Sequence, residues 1–309
     1  MRADIQFSHT KNREIDMNLV QVFHRFPTQE ACIEHLEKVR WNDNPSCPLC
    51  QSENVARKAD GERIGRWNCH ECKSSFNVLS GTIFQQTRQP LQKWFLGISL
   101  ILNAKKSLSA HQLARDLDLT VPTAWRMAHQ IRKAMNDSDA EMLSGIVEAD
   151  EAYIGGKPRK HNHRDKNNPP PAKRGRGTRK LPIIGAVERG GRVVAKPSIS
   201  VNMSALTDFL SRNVEPEALL ITDEYGGYNA MHKRMRHATI DHSVRYADGI
   251  VHTNTIEGFW SNLKRAWYGQ HHHYSRKFAP AYVIEACYKY NIRKSTDAFG
   301  SFLRSAVLA

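Results

Sequence analysis

No run of about eighteen consecutive apolar residues occurs in this chain, so no membrane-spanning helix is expected. The opening stretch, MRADIQFSHTKNREIDMNLV, has no apolar core of a secretory leader, which sets the expectation of a cytoplasmic, DNA-associated protein. Acidic residues are scarce beside basic ones, 31 Asp and Glu against 45 Lys and Arg, which leaves a net charge of +14. That imbalance favours a polyanionic partner, with nucleic acid ahead of a membrane surface. A basic helix with a broad apolar face is also lacking, so no membrane partner is expected. Cysteine is rare: of six, four fall in two CxxC pairs, and Cys32 and Cys287 stand alone. In a reducing compartment that pattern argues for metal rather than disulfides. The 309 residues leave room for about two or three domains.

Residues 1–40 read as an N-terminal helical segment. Thr28 caps a short helix running to about Val39, with Cys32, Ile33 and Leu36 on its buried side. Residues 41–82 read as a zinc ribbon. Cys47-Pro48-Leu49-Cys50 and Cys69-His70-Glu71-Cys72 are separated by eighteen residues. Two such knuckles converge on one tetrahedral zinc, with strand-like pieces at 54–57 and 63–67 between them. Four thiolates close the site, which leaves His70 a bystander and makes the zinc structural. Arg57, Lys58, Arg63, Arg66 and Lys73 suit phosphates or plain solvation equally well.

Residues 88–136 are helical. Pro90 precedes a helix with Trp94, Phe95, Ile98 and Ile101 inside. Ser109 then caps a short helix with Leu113 and Leu117 inside, and a turn at 118–120 leads to a longer helix with Trp125, Ala128 and Ile131 inward. Short helix, turn and longer helix make a helix-turn-helix that would present Thr123, Arg126 and Gln130 to the DNA major groove. The competing reading is a plain helical hairpin.

A second domain spans 145–300. Its first strand, Ile146 to Ile154, carries Asp150. The insertion at 157–180, KPRKHNHRDKNNPPPAKRGRGTRK, is basic, proline-rich and unable to form a core. It is either an arm along the phosphate backbone or a solubilising loop. Strands at 181–188 and 192–201 form a hairpin about Gly190-Gly191. A helix at 203–212, a strand at 218–222 ending in Asp223, a helix at 225–235 and a strand at 239–245 follow. The helix from His252 to Tyr268 carries an apolar stripe of Ile256, Trp260, Leu263 and Trp267, and a second face of Glu257, Ser261 and Lys264. Thr253 or Asn254 would cap it. A last helix holds Tyr282 and Tyr290. This order fits an α/β fold with a ribonuclease-H-like mixed sheet, preceded by the zinc ribbon and the helix-turn-helix. Asp150 and Asp223 then leave adjacent strands, with Glu257 crossing beside them.

Three carboxylates on a basic, DNA-binding chain suit two-metal phosphoryl transfer with Mg2+ or Mn2+. Asp150 would bridge both ions, with Asp223 on one and Glu257 on the other, while Lys264 would hold a DNA phosphate. Each aspartate alone reads better as a turn or capping residue; it is the three carboxylates in this element order that point to a site.

The chain resembles the zinc-ribbon, DDE-type insertion-sequence transposases of the ISXO-two-like group. The resemblance rests on FPTQEACIEHLEKVRW, the ribbon, VEADEAYIGGKPRK, ITDEYGGY and HTNTIEGFWSNLKRAWYGQHHHYS. It implies cleavage at transposon ends that frees a 3′-hydroxyl, and attack of that hydroxyl on target DNA, by a homo-oligomer on double-stranded DNA. It places the catalytic aspartates at Asp150 and Asp223. Some relatives carry Asn as the third member, which brings Asn254 in beside Glu257; Glu257 is preferred because a carboxylate binds a hard cation better than an amide. The alternatives are a metal-dependent nuclease and a zinc-ribbon, helix-turn-helix DNA-binding regulator with an inert second domain. Protein purified without chelator is expected to carry about one zinc per chain by elemental analysis, and finding none would remove the ribbon.

Overall fold

The computed structural model describes residues 17–58, 65–136, 141–156, 178, 180–241 and 249–308, which pack as two units. The first comprises Met1–Asn103 with Lys294–Ala309, and the second Ala104–Arg293.

In the first unit, α1 (Leu19–Arg25) opens with a reciprocal cap between Asn18 and Gln21, and α2 (Gln29–Trp41) starts at Thr28, whose hydroxyl accepts from Ala31 N at 3.2 Å. Cys32, Ile33 and Leu36 are buried, as their helical spacing predicts. The helix runs on to Trp41, whose ring meets Trp67 and Phe76 edge-on. Those two aromatics belong to a three-stranded antiparallel sheet of β1 (Val55–Arg57), β2 (Arg66–Cys69) and β3 (Ser75–Asn77). The sequence reading misses β3, which has three residues and no alternation to announce it. The described second strand begins at Arg66, after a turn at Gly65, and Arg63, where the expected strand starts, lies outside the described residues. Helix α3 (Leu91–Asn103) buries Trp94, Phe95, Ile98 and Ile101. A helix absent from the sequence reading, α9 (Ala298–Leu308), closes this core, with Phe299 against both Phe26 and Phe95.

The second unit begins with α4 (Ala110–Asp116), a turn at 117–120 and α5 (Val121–Ala134). Ser109 accepts from Gln112 N at 3.2 Å, and Asp118 turns the chain at φ 49°. The helical segment predicted over 88–136 is therefore shared, with α3 in the first unit and α4 and α5 in the second. The inward stripe of α5 is Ala124, Met127, Ala128 and Ile131. Trp125, expected inside, is 39% exposed because it stands about 100° around the helix from Ala124, and its ring meets Phe278 edge-on.

The sheet follows with β4 (Ile146–Ile154), β5 (Leu181–Glu188) and β6 (Val193–Pro197), then α6 (Met203–Asn213), β7 (Leu219–Asp223), a 3-10 helix (Gly226–Lys233) and β8 (Arg236–Ile240). Helix α7 (Asn254–Ala266), a π-type turn (Trp267–His271) and α8 (Ala279–Asn291) complete the unit. Strand order is β6-β5-β4-β7-β8, antiparallel from β4 to β6 and parallel from β4 through β7 to β8. This is the ribonuclease-H-like mixed sheet, with the first strand beside the fourth. Alternation along β4 sends Val147 and Ala149 into a core with Leu206, Phe209 and Leu210 of α6. Ala152 and Ile154 enter the opposite core with Ile256, Trp260, Leu263 and Trp267. Two expectations are corrected. Residues 225–235 form a shorter 3-10 turn opened by Gly226-Gly227, two poor helix formers. The last strand lies at 236–240 rather than 239–245, and residues 242–248 lie outside the described ones, as do 157–177 and 179 of the basic insertion. Among the described residues no helix is long and apolar enough to cross a membrane.

Helix α7 is seated differently from the expected cap. Thr253 is the N-cap residue but makes no side-chain cap; its hydroxyl donates to Glu257 at 3.1 Å. The cap comes from β4. Glu148, wholly buried, accepts from Thr255 N at 2.8 Å, Ile256 N at 3.0 Å and the Thr255 hydroxyl at 2.9 Å, and pairs with Arg189 at 2.6 Å. Arg189 in turn donates to the carbonyls of Ile250 and His252. Replacing Glu148 by Ala strands Arg189 and the start of α7, and is expected to lower the unfolding free energy by about 3 kcal/mol. Urea titration checks this; an unchanged midpoint would mean the cap carries no load.

Candidate active site and metal centres

In the ribbon, the turn after each CxxC pair puts one residue in the left-handed region, Gln51 at φ 63° and Lys73 at φ 57°. Cys47 N donates to Ser52 O and Cys69 N to Ser74 O, both at 2.9 Å, which folds each knuckle around its sulfurs. Cys47 Sγ lies 3.6 Å from Cys72 Sγ, and Cys50 Sγ lies 3.5 Å from Cys69 Sγ. All four sulfurs fall within 4.8 Å of one another. A zinc tetrahedron with bonds of about 2.3 Å has edges near 3.8 Å, so the donor set and spacing fit a structural zinc. Arg57 is engaged structurally: it pairs with Glu37 at 2.6 Å and lies 4.8 Å over the Trp67 ring.

The second cluster forms midway along β4, beside the C-terminal end of β7. These parallel strands pair through Glu148↔Ile221, and two residues further along each stand Asp150 and Asp223. Their carboxylates and that of Glu151 approach within 4.8 Å of one another. Each is held by its own donor. Trp260 of α7 donates its indole N–H to Asp150 Oδ2 at 3.1 Å. Tyr225 N donates to Asp223 Oδ1 at 3.1 Å. The buried Tyr228 hydroxyl donates to Glu151 Oε2 at 3.0 Å. Gly185, opposite Asp150 on β5, makes room for the indole: a Cβ there would meet the Trp260 ring at 2.5 Å.

Of the residues singled out in the sequence, Asp150 and Asp223 therefore meet. Glu257 is exposed on α7 and stands outside this tight group, although its charge acts on Asp150. Asn254 is exposed at the first residue of α7. Lys264 is exposed on the same helix and lines a cavity of about 280 Å³ with Glu151, Tyr153, Lys180, Trp267 and Tyr268. Glu151 was missed. Strand alternation points it to the face opposite Asp150, and only the neighbouring strand tip makes the two converge.

Burial first, then the charge of Glu151, and then those of Asp223 and Glu257, raise the Asp150 carboxyl from 3.8 to about 7, against a backbone hydrogen bond that lowers it. Crowded carboxylates of this kind share a proton or accept a cation. Oxygen-only donors at the lip of a polar cavity fit a hard divalent ion.

Residues 142–291 match the ISXO2-like transposase domain, and residues 27–75 the transposase zinc-ribbon domain. A curated relative, an uncharacterized protein in transposable element ISH50 of Halobacterium salinarum, is 27% identical over 267 residues, covering 84% of this chain and 89% of the relative. Among solved structures, a pre-cleavage Mos1 transpososome covers 96% of this chain and 98% of its own at 13% identity, with a TM-score of 0.24. A Mos1 paired-end complex covers 68% and 79%, also at 13% identity, with a TM-score of 0.19. Overlaps this loose carry no argument of their own.

A carboxyl raised in the folded state contributes stability at low pH and loses it as pH climbs through about 7. Asp150→Asn removes that liability. Without added divalent cation, the variant is expected to melt above the parent at pH 8 and to lose most of that advantage at pH 5. Calorimetry at the two pH values measures this, and a gap that does not widen with pH overturns the assignment.

Proposed function

This chain belongs to the ISXO2-like transposase family, and we propose that it binds the ends of an insertion sequence and cuts and joins DNA with the carboxylates of Asp150, Asp223 and Glu257. The observation that carries the reading is the meeting of Asp150, midway along β4, with Asp223 at the end of the parallel strand β7, beneath the helix that bears Glu257. Two divalent cations, Mg2+ or Mn2+, would supply activation of the attacking hydroxyl and stabilisation of the leaving oxygen.

The chain's own residues do the rest. Trp260 and Tyr225 N fix the directions of the Asp150 and Asp223 oxygens, so neither must reorganise when the substrate arrives. Lys264, in the cavity wall beside Glu151, holds a phosphate of the scissile strand. The exposed side of α5, with Arg126 and flanking Thr123 and Gln130, reads the terminal repeat from the major groove. The zinc ribbon holds the N-terminal unit together and adds basic surface. A homo-oligomer would pair the two ends.

A second assignment of the third ligand has an observation in its favour. Glu151 lies in the tight carboxylate group, whereas Glu257 approaches from the facing helix. Labelled terminal-repeat DNA, purified protein and Mg2+ decide between them. Joined products are expected from the parent. Cleavage without joining would make the chain a nuclease, and a gel shift alone a regulator. Asp150→Asn, Asp223→Asn and Glu257→Gln are each expected to abolish cleavage and joining while sparing the gel shift. Full activity in Glu257→Gln, with loss in Glu151→Gln or Asn254→Ala, would move the third role to that residue.

A further inference from the structure

Beyond the acidic cluster, the second unit holds a hollow of about 580 Å³ lined by Lys106, Ser261, Lys264, Arg265, Tyr268 and Gln270. Lys264 and Tyr268 also line the cavity that contains Glu151, so the two hollows share a wall. We propose that this hollow is a binding site for DNA phosphates, continuing from the acidic cluster, in which Lys106 and Arg265 grip the sugar-phosphate backbone without regard to sequence. The proposal rests on the transposase reading of the cluster, and it assigns a contact to a residue that precedes the helix-turn-helix.

The first argument is charge. Three cations converge on one concave surface whose walls, among the described residues, carry no carboxylate. Lys106, Lys264 and Arg265 make no ion pair with a described residue. Like charges gathered on one concave surface repel, and a polyanion relieves that repulsion while releasing its own counterions.

The second argument is construction. Lys106 sits on a tight turn that half-buried side chains of α8 and of the π-type turn anchor. Lys289 Nζ donates to Ala104 O at 2.8 Å while paired with Glu285 at 2.6 Å. The His271 ring bonds the Ser107 hydroxyl at 2.9 Å. Ser107 is nearly buried and held at φ 70°, a conformation a serine adopts at a cost. Lys105 and Lys106, by contrast, are exposed. A solvated lysine on an ordinary loop needs no such anchoring. Here the turn delivers its ammonium beside the C-terminal half of α7, where Lys264 and Arg265 already stand.

The test reads binding, not chemistry. The full zinc-loaded chain is titrated onto a fluorescein-labelled duplex of random sequence, with no divalent cation added, at several salt concentrations. Lys106→Ala and Arg265→Ala are each expected to weaken binding several-fold and to flatten the dependence of log affinity on log salt by about 0.9. Lys106→Arg is expected to restore the parent slope. Zinc content and melting temperature, unchanged in these exposed-site variants, exclude misfolding. Parent slopes in both alanine variants would overturn the proposal. Because no bond is broken, failure of the catalytic assignment leaves this result standing, and active joining by a parent whose Lys106→Ala variant binds normally removes only the phosphate site.

Discussion

The buried carboxylate of Glu148 is the point from which the catalytic unit takes its geometry. A carboxylate with no exposed surface survives only if its lone pairs are filled, and here they are filled by the first amides of α7 and by Arg189. Those amides carry the positive end of the helix dipole, so the anion and the helix start stabilise one another. The pairing also fixes a register. Glu148 and Asp150 share one face of β4, two residues apart, while Thr255 and Trp260 lie on α7 about a turn and a half apart. Seating the first pair delivers the second: the Trp260 indole lands on Asp150, in the space that Gly185 leaves open. A one-residue slip of β4 would turn both carboxylates to the other face and separate helix from cluster.

That account explains what the sequence does and does not disclose. The ribbon is legible because its chemistry is local: four cysteines in two knuckles need little from the rest of the chain. The stripe of α7 and the single runs of β4, β5 and β7 are legible because periodicity survives without tertiary context. Glu148 and Glu151 are not. Their neighbours on the chain make them look like solvent-facing residues flanking Asp150, and their roles come from partners about a hundred residues away on α7 or some seventy-five away at Tyr228. Trp125 misled for the opposite reason. A tryptophan on an amphipathic helix suggests core, but the stripe is already complete with Ala124, Met127, Ala128 and Ile131, and the indole is left at the rim.

Helix α5 is bound into the second unit as firmly as α7 is. Arg132 on α5 and Glu285 on α8 are each 2% exposed and pair at 2.7 Å. Burial alone would push the Glu285 carboxyl up, but Lys289 and Arg132 pull it well below the carboxylate range. The Tyr282 ring lies 4.3 Å from the Arg132 guanidinium carbon and completes its surroundings. A buried network of this kind is weak evidence for stability, since apolar residues of similar volume would serve as well. It is stronger evidence for a single orientation, because planar guanidinium pairing tolerates little rotation. With α5 locked to α8 and α8 in the same core as α7, α5 and the carboxylate cluster belong to one frame.

A frame of that kind bears on the mismatch between a chain of net charge +14 and a site that gathers carboxylates. Lys264 and Lys180 line the adjoining cavity with Glu151, while burial and then the charges of Glu151, Asp223 and Glu257 hold the Asp150 carboxyl up near 7. Arg132 and Lys289 are consumed in the clamp, and Arg189 in the cap. On the proposed function, exposed basic residues such as Lys264 would face the phosphates, and the acids would hold a cation brought from solution. Phosphoryl transfer on DNA needs that division, because a lysine salt-bridged into the cluster would neutralise the very oxygens that must hold a hard ion.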